Sequence, residues 1–239
     1  MFTFNPNVSD ICSFPNPKTL SWNKSTDCCS WDGVHCEEMT GQVIELDLRC
    51  SRLQGKFHPN GGSLFQLSNL KRLDLSYNNF FGSPISPKFS ELSSLTHLDL
   101  SYSGFTGVFP AEISHLSNLQ VLRIWTVDPY GLRLGPYNFE LLLKNLTQLR
   151  YLDLYFVNIS STIPLNFSLQ LAHTQLHGVL PERVFHLSNL EDLSLPYNSL
   201  TGQIPSNVSG LQNLLVLVIK QLEWAYTFLD ILSPVTTIF

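Results

Sequence analysis

Residues 67–110 read LSNLKRLDLSYNNFFGSPISPKFSELSSLTHLDLSYSGFTGVFP and carry one pattern twice. In the first copy Leu70, Leu73 and Leu75 alternate with polar or charged residues, which is typical of a strand with one buried face. A single strand of this kind cannot bury its apolar side alone. Stacked copies pair into a parallel sheet and share one core. The stretch therefore predicts a repeat protein.

The same pattern extends over most of the chain. Its second strand leucine or isoleucine recurs at Leu48, Leu75, Leu100, Ile124, Leu154, Leu171, Leu195 and Ile219, in steps of 27, 25, 24, 30, 17, 24 and 24 residues. Segments such as GVFP (107–110) and GQIP (202–205) follow the strands. This period and pattern are typical of the plant-type leucine-rich repeat. We predict an α/β repeat fold, a solenoid of about eight coils with a parallel concave sheet.

The pattern also suggests boundaries. We expect a partial, disulfide-stapled amino-terminal cap over 1–41, repeats over 42–219, and a non-repeat apolar tail over 220–239. The long step places an insertion at 125–143, interpreted as a longer loop with a helical turn on the convex side rather than a recognition loop. The short step places a shortened repeat at 165–181, where we expect the solenoid to be pinched.

An asparagine follows the strand in some copies, as at Asn78 and Asn198. An asparagine at this turn can hydrogen-bond the backbone of neighbouring coils. Serine takes the position at Ser103 and partly substitutes, whereas Val157 cannot.

Composition and motifs limit the classes of function that we expect for this chain. The chain of 239 residues has a net charge of −5, so nucleic acid and anionic membrane surfaces are not expected partners. The sequence contains no GxSxG turn, phosphate-cradling loop or kinase signature. We therefore predict a protein that is not an enzyme and needs no cofactor.

The cysteines cluster near the amino terminus. Cys12, Cys28, Cys29 and Cys36 lie within the first 36 residues, which favours disulfides formed in an oxidising compartment. A metal site is the alternative, although the spacing differs from the paired CxxC motif of zinc sites. Cys50 is interpreted as a free, partly buried thiol.

The segments SWNKSTDCCSWDGVHC (21–36) and GQVIELDLRCSRLQGKF (41–57) resemble the cap and first repeat of plant receptor-like proteins, in particular the tomato Cf-type immune receptors. The resemblance implies that Trp31 and Val34 pack the cap onto the first coil. It also implies the pairs Cys12–Cys28 and Cys29–Cys36. For function it implies pathogen recognition outside the cell, at the plasma membrane, with signalling through partner kinases.

Six Asn-x-Ser/Thr sequons support a glycoprotein of the secretory pathway: Asn7, Asn23, Asn145, Asn158, Asn166 and Asn207. The opening residues 1–14 have neither the basic nor the apolar region of a signal peptide. The tail 220–239 has no uncharged run of membrane-spanning length. We therefore expect a family chain truncated at both ends, whose membrane attachment would require a helix beyond it.

The predicted concave face carries the candidate binding residues. Stacking aligns Asp47, Asp74, Asp99 and Asp153 in one column, which Arg123 interrupts, and places aromatic residues in the next column. Aromatic rings beside charges on a rigid sheet favour a protein- or glycan-binding strip. The strip comprises Asp74, Tyr77, Asp99, Tyr102, Arg123, Trp125, Asp153, Phe156 and Tyr197. Its expected partners are a pathogen-derived or endogenous protein or peptide and, in the full-length family protein, a receptor-like kinase co-receptor.

Two other hypotheses remain open at this point. One is a secreted inhibitor similar to the polygalacturonase-inhibiting proteins, which are short plant repeat proteins. The other is a truncated gene product without function.

Overall fold

The computed structural model describes residues 3–4, 12, 17–56, 63–126 and 131–158, together with short strands at 177–179, 192–194, 199–201, 216–218 and 236–237. The strands are β1 (Thr3–Phe4), β2 (Val34–Cys36), β3 (Val43–Asp47), β4 (Leu53–Gln54), β5 (Arg72–Asp74), β6 (His97–Asp99), β7 (Gly107–Val108), β8 (Val121–Trp125), β9 (Leu132–Arg133), β10 (Tyr151–Tyr155), β11 (His177–Val179), β12 (Asp192–Ser194), β13 (Ser199–Thr201), β14 (Val216–Val218) and β15 (Thr236–Thr237). Within these described residues the helices are five 3-10 turns, Lys18–Ser21, Cys28–Ser30, Ser63–Gln66, Pro87–Glu91 and Ala111–His115, and the α-helix α1 (Pro136–Asn145).

Six strands form one sheet in the order β10-β8-β6-β5-β3-β2. Strands β3, β5, β6, β8 and β10 run parallel, one from each successive coil, and β2 closes the amino-terminal end as an antiparallel partner of β3. The register aligns Leu46, Leu73, Leu98, Leu122 and Leu152 across the sheet. The predicted solenoid with its parallel sheet is therefore confirmed.

The core lies between this sheet and the row of helices on the other side. The strand leucines and four phenylalanines, Phe80, Phe89, Phe109 and Phe139, are almost fully buried in it. Neighbouring 3-10 turns pack against one another along the row, and α1 continues the row beside Ala111–His115. Each coil thus buries its leucines against the next coil as well as within itself.

The insertion contains more regular structure than a single turn. Strand β9 pairs in parallel with β7, and α1 extends the predicted helical turn to ten residues. Phe139 and Leu142 bury the inner side of α1 in the core, because they stand three positions apart on one helical face. Residues 127–130 lie outside the described part.

The predicted asparagine bonds are present at Asn78. Its Nδ2 donates to the backbone oxygens of Leu48 at 2.8 Å and Leu75 at 3.0 Å, and its Oδ1 accepts from the Leu53 N–H at 3.0 Å. In the next coil the Ser103 hydroxyl donates to the Leu75 oxygen at 2.7 Å. This buried polar network ties consecutive coils together.

The cap packs on the first coil as predicted. Val34 is buried in β2, and Trp31 packs against the core while its ring stacks on Trp22 at 5.1 Å between centroids. The Trp31 Nε1 donates to the Thr26 hydroxyl, and the Trp22 Nε1 donates to the Asp32 carbonyl. Trp22 was not among the residues predicted for this contact.

The disulfide prediction is half right. Cys29 and Cys36 are bonded as expected, but Cys12 pairs with Cys50 instead of Cys28, and Cys28 is the free cysteine. The predicted free thiol at Cys50 is therefore wrong. Strand β1 pairs with β4, which begins three residues after Cys50, so the amino-terminal segment is drawn to the first coil.

In the later part of the chain the described strands pair as repeats do. Strand β11 is parallel to β13, and β12 is parallel to β14. The strand β15 within the tail pairs in parallel with β14. The predicted pinch at 165–181 falls outside the described residues, apart from β11.

Candidate ligand-binding face

Two columns of side chains stand on the concave face between the buried strand leucines. The register places Asp47, Asp74, Asp99, Arg123 and Asp153 side by side, as predicted, with Arg123 between aspartates. The second column was not predicted and comprises Glu45, Arg72, His97, Val121 and Tyr151. It occupies the strand position two residues earlier, so the same repeat alignment would have found it.

The aspartates hold the turns that follow the strands. One carboxylate oxygen of Asp47, Asp74 and Asp99 accepts the backbone N–H two residues later, at 2.9, 2.8 and 2.9 Å respectively. This local bond is the ordinary use of aspartate at a turn. Each of these carboxylates is therefore fixed in place, with its second oxygen left for other contacts.

Opposite charges pair along the two columns. The Arg123 Nη1 lies 4.0 Å from the Asp99 Oδ2, and the Arg72 Nε lies 3.5 Å from the Glu45 Oε1. Lys18 of the cap contacts Asp47. The side chains of Arg72 and Arg123 are both about half exposed. Exposed pairs of this kind contribute little to stability. Because both side chains are half exposed, they can also contact a ligand.

Burial raises the pKa of Asp74, and the charges of Asp99 and Asp47 raise it further, against the hydrogen bonds from Ser76. Burial also lowers the pKa of His97, as do the charges of Arg72 and Arg123. Both pKa shifts follow first from burial, which disfavours the charged form, and then from like charges nearby on the sheet. A cationic group placed near Asp74 would relieve the repulsion among the aspartates.

The two columns enclose a shallow depression of about 170 Å³, lined by charged residues of β3, β5, β6 and β8. Pockets that enclose a drug-sized ligand measure roughly 300–1,000 Å³. The depression is therefore of a size to accept one side chain of a larger partner.

An aromatic ladder borders the columns at the ends of the strands. Its ring centroids are separated by 4.9 Å for Tyr77–Tyr102, 5.5 Å for Tyr102–Trp125 and 5.2 Å for Trp125–Tyr155. Phe156 meets Tyr155 edge-on, and the Arg49 guanidinium covers Tyr77 at 4.6 Å. The spacing follows that of the strands, because each coil supplies the next rung.

The backbone conformation orients three of these rings. Tyr77, Tyr102 and Phe156 have φ of 56°, 51° and 57°, the left-handed region that non-glycine residues seldom enter. Each costs roughly 1 kcal/mol of backbone strain, which the surrounding turn must offset. Burial raises the pKa of the Tyr102 phenol, and the neighbouring Tyr77 raises it further. The result is a pre-formed row of rings.

The structure thus brings together most of the predicted strip. Asp74, Tyr77, Asp99, Tyr102, Arg123, Trp125, Asp153 and Phe156 lie on one side of the sheet or at its border. Tyr197 lies outside the described residues. Arg49 and Tyr155 were missed, although Tyr155 aligns with Trp125 in the strand register.

The sequons differ in their surroundings. Asn23 is exposed, and its Oδ1 accepts from both the backbone N–H and the hydroxyl of Ser25. Asn145 is half-buried at the end of α1 and donates to the Ser114 hydroxyl at 3.4 Å. Asn158 is half-buried beside Arg133. Asn7, Asn166 and Asn207 are outside the described residues.

Among the described residues, one group could supply several metal ligands: the sulfur atoms of Cys28, Cys29 and Cys36 lie within 4.8 Å of one another. Two of these sulfurs are joined in a disulfide, which removes them as thiolate ligands. The described helices include none with the length and apolar character to cross a membrane.

Family models match both parts of the chain. The leucine-rich-repeat N-terminal domain matches residues 6–37, and the Leucine Rich Repeat matches residues 69–92, 94–116 and 189–211. The receptor-like protein Cf-9 of Solanum pimpinellifolium is 69% identical over 222 residues, which are 86% of this chain and 25% of that protein. The chain thus spans about a quarter of the length of the curated relatives it matches.

Solved structures show the same architecture. The ectodomain of the Arabidopsis thaliana receptor kinase GASSHO1/SCHENGEN3, in complex with CASPARIAN STRIP INTEGRITY FACTOR 2, superposes with a TM-score of 0.63 and 29% identity, over 84% of this chain and 26% of that one. A plant ice-binding protein superposes with a TM-score of 0.65 and 25% identity, over 84% of this chain and 64% of that one.

Proposed function

The chain belongs to the leucine-rich-repeat receptor-like proteins of plants, of the Cf type, and from this premise we propose that its concave face recognises a polypeptide ligand outside the cell. In this proposal the ligand comes from a pathogen or from the plant itself, and recognition serves defence. The chain acts by binding rather than by catalysis.

The observation that carries the proposal is the aromatic ladder beside the two charged columns. A chain that crosses the strands meets a ring about every 5 Å and charges of both signs. Rigid aromatic side chains and arginine are the residues that most often dominate binding energy at protein interfaces. The half-exposed Arg123 and the rings of Tyr102 and Trp125 therefore form the expected centre of the contact.

A polypeptide fits this strip better than a glycan. Sugars stack on open ring faces, but the Tyr77 ring already contacts Arg49 of the preceding coil and Tyr102 of the next. The depression between the two columns is of a size to hold one side chain of such a polypeptide. A basic side chain would suit the depression, because four carboxylates line its walls against two guanidinium groups.

Signalling through a partner kinase and a place at the extracellular face of the plasma membrane belong to the same proposal. They rest on the family, whose relatives are about four times as long as this chain. The cap disulfides support it, since disulfides persist in oxidising compartments. The exposed sequon at Asn23 supports glycosylation there.

Differential capture tests the proposal. The purified chain is immobilised and exposed to apoplastic fluid from pathogen-infected and from uninfected leaves, and the retained polypeptides are identified by mass spectrometry. The chain Arg123→Ala/Trp125→Ala removes the centre of the strip, and Glu112→Ala serves as the matched control, because Glu112 is exposed on the convex 3-10 turn Ala111–His115.

We expect a polypeptide retained by the wild-type and Glu112→Ala chains and lost from the double variant. The proposal is wrong if every polypeptide retained by the wild-type chain is retained equally by the double variant.

A further inference from the structure

Two neighbouring rungs of the aromatic ladder are both tyrosines. The rings of Tyr77 and Tyr102 stack at 4.9 Å between centroids, with 29° between their planes, and both residues are partly exposed. The Arg49 guanidinium covers Tyr77 at 4.6 Å from its ring centroid. The left-handed backbone, with φ of 56° and 51°, orients both side chains in the turns after β5 and β6. Consecutive coils therefore hold two oxidisable phenols side by side.

We propose that Tyr77 and Tyr102 are a site of oxidative cross-linking, at which hydrogen peroxide and a haem peroxidase join the two phenol rings by a carbon–carbon bond. Each phenol gives one electron and one proton to the peroxidase and becomes a phenoxyl radical, while the peroxide is reduced to two molecules of water. The radicals couple at a ring carbon ortho to each oxygen. Each of these carbons then loses its proton as its oxygen regains one, which restores both aromatic rings. The product has two hydrogen atoms fewer than the starting chain.

The position of the two residues favours coupling within the chain. Strands β5 and β6 pair in register, with Asp74 opposite Asp99, so the turns that follow them lie about one strand spacing apart, roughly 4.8 Å. The stacked rings reach each other edge to edge by a change in side-chain torsions. Tyr137 is 72% exposed but lies on α1, outside the ladder. Exposure alone would favour oxidation of Tyr137, whereas geometry favours coupling of Tyr77 with Tyr102.

Trp125 directs oxidation towards the same pair. Its ring meets Tyr102 at 5.5 Å and Tyr155 at 5.2 Å between centroids, so an electron removed from the indole is replaced from a neighbouring ring. The Trp125 Nε1 is buried and has no hydrogen-bond partner within the described part of the chain. An oxidised indole therefore has no acceptor for its proton, whereas the partly exposed Tyr102 can release its phenolic proton to water. The radical is thus expected to settle on tyrosine.

The cross-link would add a covalent tie between two coils that hydrogen bonds already join. The Ser103 hydroxyl donates to the Leu75 oxygen at 2.7 Å, next to the same two turns. The cap disulfides favour an oxidising compartment, in which peroxide can reach a partly exposed phenol. The reaction involves no ligand, so it is independent of polypeptide recognition by the strip.

Peptide mapping of the full disulfide-bonded chain tests this inference. The dilute chain is treated with hydrogen peroxide and a haem peroxidase, and the monomer is isolated by size exclusion, reduced, alkylated and digested with trypsin. The digest contains peptides 73–88 and 89–123, in which Tyr77 and Tyr102 respectively are the only tyrosines. Tyr102→Phe removes one phenol of the pair. Tyr137→Phe is the matched control, because it removes a more exposed phenol outside the ladder.

We expect the wild-type monomer to yield peptides 73–88 and 89–123 joined, lighter than their sum by two hydrogen atoms, together with dityrosine fluorescence. The joined pair should persist in Tyr137→Phe and be lost in Tyr102→Phe. The inference is overturned if the wild-type monomer lacks the joined pair while Tyr137 is oxidised in the same sample. It is also overturned if Tyr77 or Tyr102 is joined to Tyr137 as often as the two are joined to each other.

Discussion

Replacing Asn78 by alanine should destabilise the solenoid more than any exposed asparagine substitution. The amide of Asn78 is buried, and its bonds to the Leu48 oxygen and the Leu53 N–H join its coil to the preceding one. Without it, the Leu48 oxygen still accepts from the Ser51 N–H and the Leu75 oxygen still accepts from the Ser103 hydroxyl. The Leu53 N–H loses its side-chain acceptor.

These losses give the expected magnitude. A buried donor left without a partner costs roughly 1–3 kcal/mol, and each of the other lost bonds contributes about 1 kcal/mol or less where the acceptor keeps a second donor. We therefore expect Asn78→Ala to lower the free energy of unfolding by about 2–4 kcal/mol. Asn118→Ala is the matched control, because its exposed amide makes one bond, to the Ser93 oxygen at 3.1 Å. It should cost no more than about 0.5 kcal/mol.

Urea unfolding of the three chains measures the difference. Amide hydrogen exchange adds local information, since exchange should accelerate first at the Leu53 amide in the Asn78→Ala chain. The reasoning fails if Asn78→Ala and Asn118→Ala unfold at the same urea concentration with the same slope. It also fails if protection at Leu53 is unchanged.

Three further predictions concern the cap and the concave face. Gly33 has a φ of 76°, and a Cβ there would lie 2.1 Å from the Asp47 carbonyl oxygen, so Gly33→Ala should cost at least about 2 kcal/mol in urea unfolding. Gly41→Ala, at a φ of 66° in open space, should cost about 1 kcal/mol, and equal losses would contradict this. Asp74→Asn should raise the free energy of unfolding at pH 7 but not near pH 3. The raised pKa of Asp74 means that its ionised carboxylate destabilises the folded state at pH 7, whereas below 3.8 the carboxyl is protonated in both the folded and the unfolded chain. An equal effect at both pH values would refute this. Titration of the native chain with a thiol reagent should find one free thiol, lost in Cys28→Ser, and a thiol that persists in this variant would contradict the observed pairing.

The fold could be predicted from the sequence because each repeat forms one coil and contacts only its neighbours in the stack. The two strand positions that Leu73 and Leu75 hold carry leucine or isoleucine in each copy. Such strands bury their apolar side by stacking, so the register of the sheet follows from aligning the copies. The aspartate column and the role of Asn78 followed in the same way, since each depends on position within one coil.

Contacts between distant or irregular segments could not be predicted in this way. The Cys12–Cys50 bond depends on where the amino-terminal segment lies, and cysteine spacing does not determine connectivity. The local turn bond of Asp74 was missed because an alternating pattern shows which side a residue faces and not what it contacts. The left-handed backbone at Tyr77 was likewise invisible to the repeat pattern.

Hydroxyl-radical footprinting tests the central claim, ligand binding by the concave strip, most directly. The oxidation rates of Tyr102 and Trp125 are measured in the chain alone and with the polypeptide retained in the capture experiment. Met39 and Phe81, 92% and 76% exposed and outside the strip, serve as internal references. We predict that the polypeptide slows oxidation of Tyr102 and Trp125 and leaves Met39 and Phe81 unchanged. Unchanged rates at Tyr102 and Trp125, with protection at Met39 or Phe81, would contradict the account.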